Sequence, residues 1–194
     1  MPSPLAHILS GATVYLIGAN RQRRGKIALG VCLLGSLLPD FDFLPGLLIG
    51  EPRAYHHGIS HSVGFAVMFG AAVLFVLRYL RRSDIAMQAG VMGALAYGFH
   101  AILDAVSVNE GAKAVPLLWP IIPAEFGINL GLLGRFHHDG LADGLRSVIR
   151  LENLSALARE VMVLGIPSLL VYVWTAKRRK DEIPSLQTFE GEDR

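Results

Sequence analysis

The stretch IAMQAGVMGALAYGFHAILDA, from Ile85 to Ala105, decides the fold class of this chain. No Asp, Glu, Lys or Arg occurs in it between Ile85 and Leu103. A helix that crosses the ~30 Å hydrocarbon core of a bilayer needs about 20 such residues. Four small residues allow another helix, of this chain or of a second copy, to approach closely: Gly90, Gly93, Ala94 and Gly98. The stretch therefore predicts a transmembrane helix within a helical bundle.

The composition of the whole chain also indicates a membrane protein. Of its 194 residues, 52% are hydrophobic and 18% are charged, whereas about 25% charged residues are usual in soluble domains. A soluble chain of this length buries only about two-thirds of its surface and could not hide so much apolar area. The apolar content excludes a disordered chain, and the single cysteine, Cys32, excludes a disulfide scaffold.

Similar apolar runs lie on both sides of the first stretch and predict five crossings: Leu5–Asn20, Ile27–Leu38, Val63–Leu80, Ile85–Ala105 and Val161–Ala176. Cations follow the first, third and last runs: Arg21, Arg23, Arg24 and Lys26; Arg78, Arg81 and Arg82; Lys177, Arg178, Arg179 and Lys180. Because positive loops prefer the cytoplasm, we expect the N-terminus outside and the C-terminus inside. The prediction is an all-α, polytopic bundle of about five transmembrane helices.

Other parts of the chain complete this domain organisation. Residues 1–180 form one membrane-embedded domain, and 181–194 are expected to be a disordered cytoplasmic tail. Residues 140–160 show helical spacing of apolar side chains, which predicts an amphipathic helix that lies on the outer face or packs on the bundle. The run Ile27–Leu38 is short, so it is either a full crossing or a half-buried helix.

Three patches of ionisable residues interrupt the apolar surroundings. They are Asp40 and Asp42 after Pro39; His56, His57, Ser60, His61 and Ser62 before the third crossing; and His100 with Asp104 at the end of the fourth. Each patch has a structural interpretation, such as a polar loop, an interfacial cluster or a hydrogen-bonded pair between helices. His7 alone is typical of a helix start, and His137, His138 and Asp139 are typical of a solvated turn.

The charge-based topology favours a functional interpretation. That topology uses neither the His nor the Asp residues of the candidate patches, yet it places His7 and all three patches at the outer membrane face. Ionisable groups at apolar helix ends are costly and mark functional sites. His and Asp together are ligands for zinc and similar divalent metals. The sequence therefore predicts a metal site at one face of the membrane.

The order of these motifs resembles the YdjM-type, LexA-regulated family of membrane-bound metal-dependent hydrolases. The motifs are Pro39-Asp40-Phe41-Asp42, His56-x-Gly58-x-Ser60-His61-Ser62, His100-x-x-Leu103-Asp104 and Pro116-Leu117-Leu118-Trp119-Pro120. The resemblance spans residues 1–123 and implies a multi-pass protein of the inner membrane with hydrolase activity. The His-x-x-x-Asp step is also distantly similar to zinc-dependent phospholipases C. One departure is His57, where the family usually has Arg; His57 is then an extra ligand or a weaker phosphate contact.

The predicted mechanism uses one or two divalent ions, Zn²⁺ first and Mn²⁺ second, that activate water. The expected ligands are His7, Asp40, His56, His61, His100 and Asp104. Asp42 and Asp40 are the expected catalytic carboxylates, with Asp42 as a general base or as an orienter of ligands. The expected substrate contacts are His57, Ser60, Ser62 and Trp119. Membrane lipids and a lipid-like or phosphoester substrate are the expected partners, without nucleic acid.

Two other classes of function remain open at this stage. A structural or regulatory membrane protein would need only the five helices and would tolerate loss of the His and Asp residues. A metal-handling transporter would also place such residues in apolar helices, but they would line a path through the bilayer. Here they stop at one face, which favours the hydrolase. A nucleophilic hydrolase is disfavoured because Cys32 has no basic neighbour and no Gly-x-Ser-x-Gly motif occurs.

Overall fold

The computed structural model describes residues 2–18, 25–51, 54–108, 113–133 and 151–187. Most of the described residues are helical, while residues 54–62, 106–108 and 113–133 form loops. The described part contains no β-strand, only two isolated bridges, Ser107 with Asn129 and Val115 with Phe126. The helices are α1 (Pro4–Gly18), α2 (Lys26–Leu37), α3 (Phe43–Leu48), α4 (Val63–Tyr79), α5 (Ser83–Ala105), α6 (Leu151–Glu160) and α7 (Ile166–Gln187). The predicted all-α fold is confirmed.

Three helical segments in the described part of the chain are long and apolar enough to cross a membrane. They are Lys26–Gly46, Ser83–Ala105 and Asn153–Lys177, while the apolar helices α1 and α4 are shorter. The five predicted crossings thus correspond to three segments of full length and two shorter ones. The loop cations Arg21, Arg23 and Arg24 lie outside the described residues, and the orientation of the termini stays a prediction.

The second segment is longer than its apolar run suggested. A 3₁₀ turn, Leu38–Asp42, follows α2 directly and leads into α3. Pro39 stands in the first turn of this element, where its missing N–H leaves no helical hydrogen bond unmade. The helical path therefore continues past Pro39, and the 3₁₀ turn between α2 and α3 carries Asp40 and Asp42.

The last segment starts earlier than predicted. Helix α6 passes through a π-helical turn, Val161–Gly165, into α7 without a break. The amphipathic helix predicted over residues 140–160 is therefore described only from Leu151 onward. This part, α6, is continuous with the last membrane segment. Residues 140–150 lie outside the described residues, as do His137, His138 and Asp139. The expected disordered tail, residues 181–194, is described only as far as Gln187, where α7 ends. Its disorder stays a prediction.

Helix α5 is the centre of the bundle and packs against α1, α2 and α4. Its glycines allow this close approach. A Cβ added at Gly90 would lie 2.7 Å from the carbonyl oxygen of Gly70 on α4. A Cβ added at Gly35 on α2 would lie 2.9 Å from the carbonyl oxygen of Gly93. Both distances are too short for real contacts, so the small residues noted in the sequence pack within this chain.

A buried polar contact joins the first and last helical segments. The backbone N–H of Ser3 donates to Oε1 of Glu160 over 2.6 Å, and the Ser3 hydroxyl donates to Oε2. Both residues are buried. The contact fixes the start of α1 against the end of α6, one helical turn before His7.

Candidate metal centre

Four parts of the chain bring His and Asp side chains to one end of the bundle. Helix α1 provides His7, the 3₁₀ turn provides Asp40 and Asp42, the loop before α4 provides His56, His57 and His61, and α5 provides His100 and Asp104. Within the described ranges three sets have ligand atoms that all lie within 4.8 Å of one another: His7, Asp40, His100 and Asp104; Asp40, His56 and His61; His57, His61 and Asp104. All six residues predicted as metal ligands therefore lie in one cluster.

His100 and Asp104 form the part of the cluster that α5 provides. They are one turn apart, and Nε2 of His100 lies 3.0 Å from Oδ2 of Asp104. Nδ1 of His100 lies 2.7 Å from the carbonyl oxygen of Ser36. A carbonyl oxygen only accepts, so Nδ1 donates and Nε2 of the neutral ring carries a lone pair that faces the cluster. The ring of His7 stacks on that of His100 with 3.7 Å between centroids.

Asp104 lies at the centre of the cluster and is 1% exposed. Its Oδ1 lies 3.7 Å from Nε2 of His7, and its Oδ2 lies 3.3 Å from Nε2 of His61. Neither oxygen makes a hydrogen bond of good geometry to any part of the chain that the structure describes. A buried carboxylate without such bonds is costly. A cation between these oxygens and the imidazole nitrogens would remove that cost, so the donor set fits a metal ion.

Asp40 lies on the accessible side of the cluster. Its Oδ1 is 3.5 Å from Nε2 of His100 and 3.7 Å from Nε2 of His61. Its side chain is 27% exposed, whereas those of His61 and His100 are fully buried. A molecule from outside would therefore reach the cluster past Asp40.

Asp42 contacts the outer side of two imidazole rings. Its Oδ1 lies 2.7 Å from Nδ1 of His56, and its Oδ2 lies 3.2 Å from Nδ1 of His61. The hydroxyl of Ser60 and the backbone N–H of Gly58 donate to Oδ2 over 2.7 and 3.3 Å. Both carboxylate oxygens of Asp42 are thus engaged in orienting the loop histidines, as carboxylates do behind metal-binding histidines.

His57 is held in the same way by a different acceptor. Its Nδ1 donates to the carbonyl oxygen of Lys113 over 2.6 Å, and its ring is buried. Four histidines are therefore bound through Nδ1, each to a carbonyl or a carboxylate: His56, His57, His61 and His100. Such bonds fix the ring orientation and leave Nε2 for a metal.

The electrostatics of the two buried loop histidines differ. Burial alone would lower the pKa of His61, but the carboxylates of Asp104, Asp40 and Asp42 outweigh burial and raise its pKa to about 11. Burial dominates at His57 and lowers its pKa, although Asp104 acts in the opposite direction. The centre of the cluster thus favours a positive charge, which a proton or a metal ion can supply.

Like His57 and Ser60, the other two residues predicted to contact substrate have partners within the chain. Ser62 caps α4: its hydroxyl donates to the carbonyl of Ile59 over 2.6 Å and accepts from the N–H of Phe65 over 3.3 Å. The carbonyl oxygen of Trp119 accepts from the N–H of Gly64 over 3.0 Å, and its ring lies 5.8 Å from that of Phe65 between centroids. Both residues fix the loops at the start of α4, and their predicted contact with substrate stays a prediction.

Sequence reasoning missed the two backbone acceptors of this site. Ser36 and Lys113 contribute carbonyl oxygens, which any residue type has, so no sequence signal marks them. The small side chain of Ser36 beside Gly35 in α2 was the one visible hint that another helix approaches there.

Comparison with known protein families identifies the family of this chain. The family model described as YdjM inner membrane protein matches residues 1–179. This range contains every residue of the cluster and the last membrane segment. No curated protein and no solved structure matches the chain.

Proposed function

Because the chain belongs to the YdjM inner membrane protein family, we propose that it is a membrane-embedded, metal-dependent hydrolase. The cluster at the end of α5 would be its active site, at the outer face of the membrane. The substrate would be a phosphoester or another lipid-like molecule.

The proposal depends mainly on the surroundings of Asp104. Its oxygens are buried and have no hydrogen bond of good geometry among the described residues. The Nε2 atoms of His61 and His100 nevertheless lie 3.3 and 3.0 Å from Oδ2. A structural hydrogen-bond network would satisfy this carboxylate. An arrangement in which the carboxylate and the imidazole lone pairs converge without good hydrogen bonds is instead typical of an ion site.

The ligands of the proposed ion are the set His7, Asp40, His100 and Asp104, with His56 and His61 beside it. A divalent ion, Zn²⁺ or Mn²⁺, would supply Lewis acidity and a water molecule of pKa near 7. Histidine and carboxylate donors are suited to both metals.

The two predicted catalytic carboxylates have different roles in this proposal. Asp42 has both oxygens bound to the loop, so it positions His56 and His61. Asp40 is the carboxylate nearest to the outside, with a side chain 27% exposed. We assign Asp40 the role of accepting a proton where substrate and water meet the cluster.

The surroundings of Asp40 support an amphiphilic substrate. Phe41 and Phe43 follow it in the chain and are 51% and 36% exposed. Exposed apolar rings therefore lie close to Asp40 in the sequence, near the end of a segment long and apolar enough to cross a membrane. A molecule with an apolar chain and a polar ester group would contact the rings and Asp40 together.

The test is hydrolysis by detergent-purified protein loaded with Zn²⁺ or Mn²⁺. Short-chain phosphatidylcholine and bis(p-nitrophenyl) phosphate are the probes. We expect turnover by the wild type and a loss of at least ~100-fold in His100→Gln. Gln88→Ala is the matched control, since Gln88 lies near the other end of α5 and donates to the carbonyl of Gly18 over 2.7 Å. Equal rates in wild type and His100→Gln, or no turnover of any ester, would contradict the proposal.

A further inference from the structure

His57 is buried although it lies in a loop. It is 2% exposed, and its φ of 61° places its backbone in the left-handed region, which is unfavourable for residues other than glycine. Its Nδ1 donates to the carbonyl of Lys113, 56 residues later in the chain. The surrounding structure therefore holds this ring in one orientation at the expense of backbone strain.

The other nitrogen of this ring faces the cluster. Nε2 of His57 is buried without a hydrogen-bond partner among the described residues and lies 4.0 Å from Oδ2 of Asp104. Since Nδ1 donates its proton to a carbonyl, Nε2 of the neutral ring has a lone pair available. His57, His61 and Asp104 form a set whose ligand atoms lie within 4.8 Å of one another.

The two oxygens of Asp104 face different histidines. Oδ1 lies 3.7 Å from Nε2 of His7, whereas Oδ2 lies near the Nε2 atoms of three rings, at 3.0 Å from His100, 3.3 Å from His61 and 4.0 Å from His57. Neither oxygen has a hydrogen bond of good geometry within the described part of the chain. One carboxylate is thus available to two sets of imidazoles at once.

We propose that His57, His61 and Asp104 form a second cation site, which shares the Asp104 carboxylate with the ion of the proposed hydrolase. This inference rests on the proposed function and assigns His57 to metal binding instead of substrate contact. Two imidazoles and a carboxylate are a donor set typical of zinc. Two ions that share a carboxylate are suited to substrates with anionic oxygens, such as phosphoesters.

The experiment counts Zn²⁺ by elemental analysis after saturation and desalting of detergent-purified protein. We expect two equivalents in the wild type and one in His57→Gln. His7→Gln is the matched variant on the other side of Asp104 and should also retain one equivalent. Two equivalents in folded His57→Gln would overturn the second site, as would loss of both ions from that variant.

The same count separates this inference from the proposed function. One equivalent in both the wild type and His57→Gln would refute the second site and leave the hydrolase proposal standing. No metal in the folded wild type would refute both. Circular dichroism and gel filtration establish folding for each variant.

A second measurement tests the shared carboxylate directly. Wild-type protein loaded with Mn²⁺ should give the electron paramagnetic resonance spectrum of a spin-coupled pair. His57→Gln should give the spectrum of an isolated Mn²⁺ ion. Uncoupled spectra from the wild type at two equivalents would show two separate ions and overturn the bridging role of Asp104.

Discussion

Oδ2 of Asp104 lies 3.0 Å from Nε2 of His100, one turn away on the same helix. The pair is completely buried, and α5 holds both side chains on one face. Helix α5 therefore sets the position of the cluster, and the other elements approach it.

Replacement of Asp104 by Asn should abolish metal binding. The variant keeps the size of the side chain but removes the charge that faces His7, His61 and His100. Elemental analysis of purified protein should find near-stoichiometric Zn²⁺ or Mn²⁺ in the wild type and almost none in Asp104→Asn. Asp84→Asn, at the exposed start of α5, is the control and should keep its metal. Retained metal in Asp104→Asn would refute a centre built around this carboxylate.

Replacement of Asp42 by Asn should weaken metal binding without abolishing it. Asp42 contacts His56 and His61 through their Nδ1 atoms, and loss of such a partner typically costs 10–100-fold in metal affinity. Competition with a chelator measures the change in affinity. A complete loss of metal would instead make Asp42 a ligand, and an unchanged affinity would make its contacts incidental.

The close contact between α4 and α5 can be tested with a single methyl group. A Cβ at Gly90 would lie 2.7 Å from the carbonyl oxygen of Gly70, so Gly90→Ala forces the helices apart. Overpacking of this kind costs about 1–3 kcal/mol, measured as unfolding in detergent.

Gly30→Ala is the matched control for this prediction. A Cβ there has no atom within 4 Å, so the higher helix propensity of Ala should stabilise α2 by about 0.5–1 kcal/mol. If Gly90→Ala were as stable as Gly30→Ala, the contact between Gly70 and Gly90 would not hold the two helices together.

Loss of the Glu160 carboxylate should loosen α1. Glu160→Ala leaves the N–H and hydroxyl of Ser3 without their acceptor, at a cost of about 1–3 kcal/mol. Glu160→Gln keeps one acceptor oxygen and should cost less. Thermal unfolding in detergent measures both. An equal loss in the two variants would show that the charge, and not the pair of hydrogen bonds, stabilises this contact.

Much of this fold could be predicted because apolar runs and helix ends leave clear signals in a sequence. The run from Ile85 to Ala105 became α5 with its start two residues earlier, at Ser83. The extent of the second segment could not be read from the run Ile27–Leu38, because whether Pro39 ends a helix or opens a 3₁₀ turn depends on what packs around it.

The cluster could be predicted for a similar reason: ionisable residues in apolar surroundings are rare, and a topology built from Lys and Arg alone placed them at one face. Distances within the cluster could not be predicted, since they depend on contacts such as that of His57 with Lys113, 56 residues away.

The contact between Ser3 and Glu160 was also missed. A glutamate directly before the apolar run that starts at Val161 was the available signal, because such residues in membrane segments usually have a specific partner.

The bond between Ser3 and Glu160 has a consequence for biosynthesis. Helix α1, which carries His7, is made before Glu160, which lies 157 positions after Ser3 in the chain. A chain shortened before residue 151 would hold every residue of the cluster and still lack the carboxylate that fixes the start of α1. The start of α1, one turn before His7, therefore gains its buried acceptor only after Glu160 has been made.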